Sequence, residues 1–314
     1  MTTITKLSAR VSRMLEEVLQ GLKEPQKSLP SKYFYDKRGS ELFEQICELD
    51  EYYPTRTELS IMRDNIDEIT DQLGSKIQLI ELGSGSSLKT RLLLDHLPEI
   101  NSYVPVDISN DFLADVVENL QREYPLLDII PVAADYTKPF DLPEADLDAR
   151  RVAYYPGSTI GNFTKEKAAD FIALLADLLG DNGGLLIGFD LLKDRDTLIN
   201  AYDDAKGVTA KFNKNILRRI NRELAADFDV DSFEHRAFFN EEKSRIEMHL
   251  VSQKDQQVDI MGTVIHFSKG ETIHTENSHK YSLESFREIT APHFQPQKTW
   301  TDKKEMFTVQ FLTK

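Results

Sequence analysis

The chain has 314 residues, 40% of them hydrophobic and 29% charged, the composition of an ordinary folded protein of about two domains or one enlarged α/β domain. Its 53 acidic against 38 basic residues leave a formal charge of −15, which repels phosphate backbones and anionic membrane surfaces and argues against nucleic-acid or membrane partners. A single cysteine, Cys47, excludes an internal disulfide and a thiolate metal cluster, and no apolar run reaches membrane-spanning length, so a cytoplasmic protein is expected.

Val11, Met14, Leu15, Val18, Leu19 and Leu22 recur at three-and-four spacing, which predicts an amphipathic first helix stopped between Gly21 and Pro25. Lys6, Arg10, Arg13, Glu16 and Glu17 interrupt this stretch, so it has no secretory h-region. The aromatic loop from Ser31 to Asp36 precedes a second helix through Leu42, Phe43, Ile46 and Leu49, and Tyr52-Tyr53-Pro54 then breaks the pattern. Thr55 and Glu58 read as a capping box for a third helix carrying Ile61, Met62, Ile66, Ile69 and Leu73.

From Lys76 the pattern alternates. Strands are predicted at 77–82, 102–107, 128–134, 151–156 and 184–190, with helices at 88–97, 111–121 and 165–179 between them. Such βα alternation implies a doubly wound parallel sheet that binds ligands at the carboxyl ends of its strands. Helices near 195–206 and 209–225 follow, then strand-like runs at 245–253, 257–267 and 271–276, a helix at 283–290 and a last strand at 306–312 returning to the sheet. A discontinuous architecture results: a sheet domain of 61–194 plus 281–314, and a second α+β domain of 1–60 plus 195–280.

The run from Leu79 to Ser87 is the most informative local feature: an apolar strand, Glu81, then Gly83-Ser84-Gly85 opening into a helix. Glycine lets main chain approach a ligand, and the helix start offers unpaired N–H groups. A dinucleotide fold would normally show a third glycine, whereas here Ser86 stands where the next small residue would fall, and glycine richness alone leaves both readings open. Asp107, ending the next strand, lies where an acid accepts hydrogen bonds from ribose hydroxyls, or it caps the helix begun by Ser109-Asn110-Asp111. Asp135-Tyr136 follows the third strand, where the pair either meets an adenine or forms a turn. After the fourth strand, Pro156-Gly157-Ser158-Thr159-Ile160-Gly161-Asn162 leads to a helix capped by Thr164, and Asn162 offers both a donor and an acceptor to an amine. The histidines form no convincing ligand set: His274 and His279 flank Glu276 at spacings unsuited to zinc, so no metal is assigned.

Taken in order, Tyr33-Phe34-Tyr35-Asp36-Lys37-Arg38-Gly39-Ser40, Tyr52-Tyr53-Pro54-Thr55-Arg56, Glu81-Leu82-Gly83-Ser84-Gly85, the Pro156–Asn162 loop and Thr275-Glu276-Asn277-Ser278 resemble the histidine-specific N-methyltransferases of ergothioneine biosynthesis. The resemblance runs from about Pro30 to the C-terminus. It implies a class I Rossmann-like methyltransferase fold with S-adenosylmethionine held by Tyr35, Gly83, Lys89, Asp107, Asp135 and Tyr136. It further implies that Tyr52, Asn162 and Tyr202 meet the α-carboxylate and α-amine of L-histidine, that Glu276 and Ser278 read the imidazole, and that Phe43, Gly157 and Met248 shape the pocket. Taken singly, these residues have blander readings. Tyr52 and Tyr202 read as half-buried core tyrosines, Met248 as strand core, Phe43 as a helix contact, Glu276 and Ser278 as an edge pair, and Lys89 as a solvated helix residue.

The implied reaction is transfer of methyl groups from S-adenosylmethionine to the α-amine of L-histidine, in three turns, giving the betaine hercynine, with Asn162 and Tyr35 as the groups at the amine. An amine attacks only when neutral, and uncharged acceptors stabilise the ammonium ion less than a carboxylate would. A small-molecule substrate and a monomeric chain are expected. The alternatives are a tryptophan-derived acceptor, a non-catalytic adenosyl-ligand module and a nicotinamide-dependent oxidoreductase.

Overall fold

The structure is a computed structural model that describes residues 8–83, 88–97, 99–108, 110–146 and 148–314, the side chains of 9, 88 and 110–112 excepted. The glycine-loop residues Ser84 to Ser87, and Ser109 of the alternative cap, lie outside the described residues.

Numbered in chain order, the strands are β1 Ile77–Leu82, β2 Ile100–Asp107, β3 Val132–Ala133, β4 Arg150–Tyr155, β5 Gly184–Asp190, β6 Phe233–Asn240, β7 Arg245–Ser252, β8 Gln256–Ile260, β9 Thr263–Phe267, β10 Thr272–His279, β11 Gln295–Thr301 and β12 Phe307–Thr313. The chain divides into two compact units: Pro54–Leu192 with His279–Lys314, and the described part of Met1–Tyr53 with Lys193–Ser278. These divisions fall a few residues before the boundaries expected at 60, 194 and 280, because the helix Tyr53–Asp64 groups almost entirely with the sheet.

The sheet unit is built on one seven-stranded sheet of order β11-β12-β5-β4-β1-β2-β3. Its strands β1 to β5 run parallel, and β12 returns antiparallel to both β5 and β11. The order reverses between β4 and β2, on either side of β1, which is where a doubly wound sheet opens a crevice at its carboxyl edge. β1 and β5 are buried along their whole length, as a sheet covered on both faces requires. On one face Leu79, Tyr103 and Tyr154 join Ile61, Met62, Ile69 and Leu73 of the helices Tyr53–Asp64 and Ile66–Leu73. On the other face Ile80, Val104 and Tyr155 join Phe171, Ile172 and Leu175 of the helix Lys165–Leu179.

Several local expectations change. The helix at Tyr53 has already begun before Thr55, with Pro54 tolerated in its first turn, so Thr55 and Glu58 are no capping box. The run expected as a strand at 128–134 pairs only at Val132–Ala133 and through a bridge at Ile129. The stretch 257–267 is a hairpin rather than one run, because Met261 and Gly262 both take positive φ in its two-residue turn. β6 and β11 carry mixed polar and apolar residues and had no clear alternation to reveal them.

The second unit contains the helices Ala9–Lys23, Lys37–Cys47, Arg195–Asn200 and Val208–Leu224, the three-stranded sheet β10-β7-β6 and the hairpin β8-β9. Asn213, fully buried on Val208–Leu224, fastens three parts of it. Its amide nitrogen bonds the His235 ring at 2.8 Å and donates to the His249 carbonyl at 3.1 Å, and its amide oxygen accepts from Thr275 Oγ1 at 2.7 Å.

Candidate active site

At the carboxyl edge of the sheet, Gly83 follows β1, Asp107 ends β2, Asp135 and Tyr136 follow β3, and the loop from Pro156 to Asn162 follows β4. Parallel strands bring these separated segments to one edge. Gly83 has φ +77°, donates its N–H to Val106 at 2.8 Å, and a Cβ there would come within 3.5 Å of the Tyr136 hydroxyl. That backbone needs glycine, and a side chain would fill the space in front of Tyr136. The Asp107 carbonyl accepts from Ala134 N–H at 3.0 Å, which joins the ends of β2 and β3.

Asp135 accepts from the Thr137 amide at 3.3 Å and its hydroxyl at 2.5 Å, so it builds its own turn, as its residue type alone predicts. Tyr136 packs against Tyr155 and Phe171 with ring centroids 6.0 and 6.1 Å away, and burial pushes its phenol up to about 12, so it stays a neutral hydroxyl. Lys89 is no solvated helix residue: its ammonium is paired with the fully buried Glu58. Glu81 is also committed internally, to Thr90 Oγ1 at 2.6 Å and to the Tyr103 hydroxyl, and burial raises its carboxyl above the usual range.

The loop after β4 is held by unusual backbone. Gly157 at φ +77° and Ser158 at φ +59° are both left-handed, and the 3-10 turn Thr159–Asn162 follows. Thr159 Oγ1 donates to the Pro156 carbonyl at 2.8 Å, Gly161 N–H to the Ser158 carbonyl at 2.9 Å, and Thr164 caps the next helix through Lys167 N–H at 3.3 Å. Gly161 lies so close to the backbone of His279 that a Cβ would come 2.8 Å from its carbonyl oxygen. Asn162 is the half-buried last residue of this turn.

In the other unit a chain of edge-on aromatic contacts gathers Tyr35, Phe43, Tyr52 and Tyr202. Ring centroids are 5.7 Å for Tyr35 and Phe43, 6.1 Å for Phe43 and Tyr52, and 6.1 Å for Tyr52 and Tyr202. Phe212 lies 6.0 Å from Phe43 and 5.7 Å from Tyr35. The Tyr202 and Ser278 hydroxyls are hydrogen-bonded at 2.7 Å, so an aromatic wall ends in a polar pair. Burial raises the Tyr52 phenol well above its ordinary value, and the phenol also senses the charge of Glu276. Glu276 and Ser278 stand two apart on β10, hence on one face of the strand. Tyr202 lies beyond the end of Arg195–Asn200 rather than within a helix reaching 206, and His235 Nε2 holds its carbonyl at 2.8 Å. Met248 is buried in β7, whose residues are buried on both faces.

Two features had no signal in the sequence. One is the Asn213–His235 support beneath Tyr202. The other is the cluster of Glu247, His249 and His274, whose ligand-type atoms lie within 4.8 Å of one another. Arg245 donates twice to Glu247 Oε1, at 2.8 and 2.6 Å, and His249 Nε2 bonds Oε2 at 3.0 Å. Burial opposes the Glu247 charge, but these bonds outweigh it and hold the carboxyl at about 2. The His249 and His274 rings stack at 4.7 Å, only 7° from parallel, so their lone pairs do not converge on one ion. His274 Nε2 instead reaches the Glu276 carbonyl at 3.0 Å. Burial, reinforced by His249, lowers the His274 imidazole to about 4.

The profile of the histidine-specific, S-adenosylmethionine-dependent methyltransferases matches residues 14–314. The chain belongs to this family. It is 41% identical to a histidine N-alpha-methyltransferase of Mycobacterium tuberculosis, covering 95% of this chain and 94% of the relative. A protein of the same name from Mycolicibacterium smegmatis is 42% identical, with 91% and 90% covered. An L-tryptophan methyltransferase of Psilocybe serbica is 27% identical over 94% of this chain and 91% of its own length. As a family member, the chain is an S-adenosylmethionine-dependent methyltransferase of Rossmann-like fold, which sets aside the nicotinamide-dependent and non-catalytic readings. Among the described residues no helix is long and apolar enough to cross a membrane.

Proposed function

We propose that this methyltransferase acts on the α-amine of L-histidine and adds three methyl groups in succession to give hercynine. The likeness that carries the reading is the near full-length identity to two histidine N-alpha-methyltransferases. On this reading the sheet unit binds S-adenosylmethionine through Gly83, Lys89, Asp107, Asp135 and Tyr136, with Tyr35 also assigned to the cofactor. The open backbone of Gly83 in front of the neutral Tyr136 phenol, at the carboxyl edge of adjacent parallel strands, suits a nucleoside and its hydroxyls. S-adenosylmethionine supplies an electrophilic methyl carbon when bound, so the protein's task is to orient an amine lone pair and leave it unprotonated.

Asn162 accepts an N–H of the amine through its amide oxygen. An uncharged acceptor does not favour the ammonium ion as a carboxylate would; a peptide α-amine has a pKa of about 7.7–8.0 and that of a free amino acid is higher, so the site has to favour the neutral amine. Tyr35 is the second group assigned to the amine. Tyr52 and Tyr202 take the α-carboxylate, Glu276 and Ser278 take the imidazole, and Phe43, Gly157 and Met248 bound the space. The Tyr202–Ser278 hydrogen bond supports this division, since it holds a carboxylate-facing and a ring-facing hydroxyl in fixed register. The protein works as a monomer in the cytoplasm on this reading.

Mass spectrometry of the purified protein with S-adenosylmethionine and histidine tests it, with tryptophan run in parallel. Successive mono-, di- and trimethylated histidine is the expected result. Methylation of tryptophan in preference to histidine, or of an imidazole nitrogen, overturns it.

A further inference from the structure

Glu58 takes no part in the reading above, yet it is fully buried on the helix Tyr53–Asp64 and its carboxylate meets three separate segments of the sheet unit. It is ion-paired with Lys89. The Gly157 N–H donates to both of its oxygens, at 3.1 and 3.0 Å. At Gly188 in β5, a Cβ would come 2.1 Å from its Oε1, so only glycine there leaves room for the carboxylate. The Lys89 ammonium in turn lies 3.6 Å from where a Gly157 Cβ would stand. One carboxylate thus touches the lysine assigned to the cofactor and Gly157, the second residue of the loop that carries Asn162.

The rest of that loop is fastened differently. Ser158 N–H donates to the Gly188 carbonyl at 3.1 Å, and Asp190 N–H donates to Ser158 Oγ at 3.0 Å. Asp190 is itself paired with Lys280 at 2.7 Å, both side chains fully buried. Ser158 is therefore tied to β5, whereas the left-handed Gly157 is tied to Glu58. A buried, charge-assisted hydrogen bond resists displacement because a shifted loop leaves a charge short of a partner in a low-dielectric interior.

We propose that Glu58 is a positioning residue for methyl transfer: by holding the Gly157 amide and the Lys89 ammonium on one carboxylate, it sets the Asn162 loop against the cofactor-binding side of the sheet. The proposal rests on the reading in which Lys89 meets the cofactor and Asn162 the amine.

Glu58→Gln tests it, because glutamine keeps the shape and an acceptor oxygen but loses the charge. The measurements are steady-state kinetics with histidine and calorimetric titration of S-adenosylhomocysteine, each corrected for the folded fraction. We expect kcat to fall roughly tenfold or more, the cost of a small misplacement of reacting groups, while the Kd for S-adenosylhomocysteine changes by less than about threefold or tightens as Lys89 is released. A smaller loss of kcat with a lower Tm makes Glu58 merely structural and overturns the proposal. So does a larger weakening of S-adenosylhomocysteine binding, which would make Glu58 part of the cofactor site. If Glu58→Gln does not fold, Glu58→Asp, one methylene shorter, is judged by the same limits. Wild-type turnover and S-adenosylhomocysteine binding, measured first in the same assays, report separately on the functional reading.

Discussion

In the sheet unit every residue assigned to the reaction lies at a strand's carboxyl end or within seven positions after it, so a local motif and a topology rule together locate it. In the other unit the assigned residues come from segments more than a hundred positions apart, Tyr35 to Tyr52 on one side and Tyr202 to Ser278 on the other. They meet through ring packing and one hydroxyl pair. A backbone scaffold that any parallel sheet provides suits a cofactor common to many reactions. Selection of one amino acid instead requires side chains, which a sequence can place far apart.

This division of labour can be broken experimentally. The largest effect is expected at Asn162→Ala, where kcat/KM for histidine should fall on the order of a hundredfold with S-adenosylhomocysteine affinity unchanged. If that variant instead loses selectivity among amino acids while keeping its rate, the two units do not divide the work as proposed.

Acidification should separate the units next. The His274 imidazole sits near 4 in the folded chain against an ordinary 6.5, with His249 and His235 lowered in the same direction by burial. A base with a depressed folded pKa is protonated first in the unfolded chain, so stability is complete above pH 6.5 and falls as pH drops towards 4. His274 alone accounts for about 2–3 kcal/mol of this, and Glu247, held at about 2 against an ordinary 4.5, adds its own loss only as pH falls below about 4.5. Hydrogen exchange between pH 7 and 4.5 should show β6, β7 and β10 losing protection before β1, β4 and β5. The reverse order would mean that the buried histidines are not the acid-sensitive element.

Glu276→Ala should cost about ten- to a hundredfold in preference for histidine over phenylalanine, because the carboxylate is assigned to a ring N–H that phenylalanine lacks. Competition assays with the two amino acids measure it, and an unchanged preference removes Glu276 from recognition. The smallest effect on activity is expected at Gly74→Ala, because Gly74 caps Ile66–Leu73 at φ +85° and ψ −172° with open space around it: a loss of about 1–3 kcal/mol in denaturant titration and normal kinetics.

Much of the sheet unit was legible in the residues. β1, β5 and the helix Lys165–Leu179 match their predicted bounds, because long apolar runs between glycine and cap signals have few alternatives. Individual side-chain partners were not legible. Glu58 has capping-box spacing from Thr55 and instead serves Lys89 and Gly157, a choice made by a helix that begins two residues earlier and by the glycine at 188. Lys89 matches the expected motif, but only the fold shows that a buried carboxylate neutralises it.

The sequence by itself determined the alternating parallel sheet, the carboxyl-edge positions of Gly83, Asp107, Asp135 and Asn162, and through its ordered motifs the family, because these depend on short-range periodicity and on residue type. Tertiary structure alone decided the aromatic wall from Tyr35 to Tyr202, the Asn213 fastening, the stacked imidazoles on β7 and β10 and the carboxylate that Gly157 and Lys89 share. Each of those depends on which distant segments pack together, and packing of that kind leaves no periodic trace along the chain.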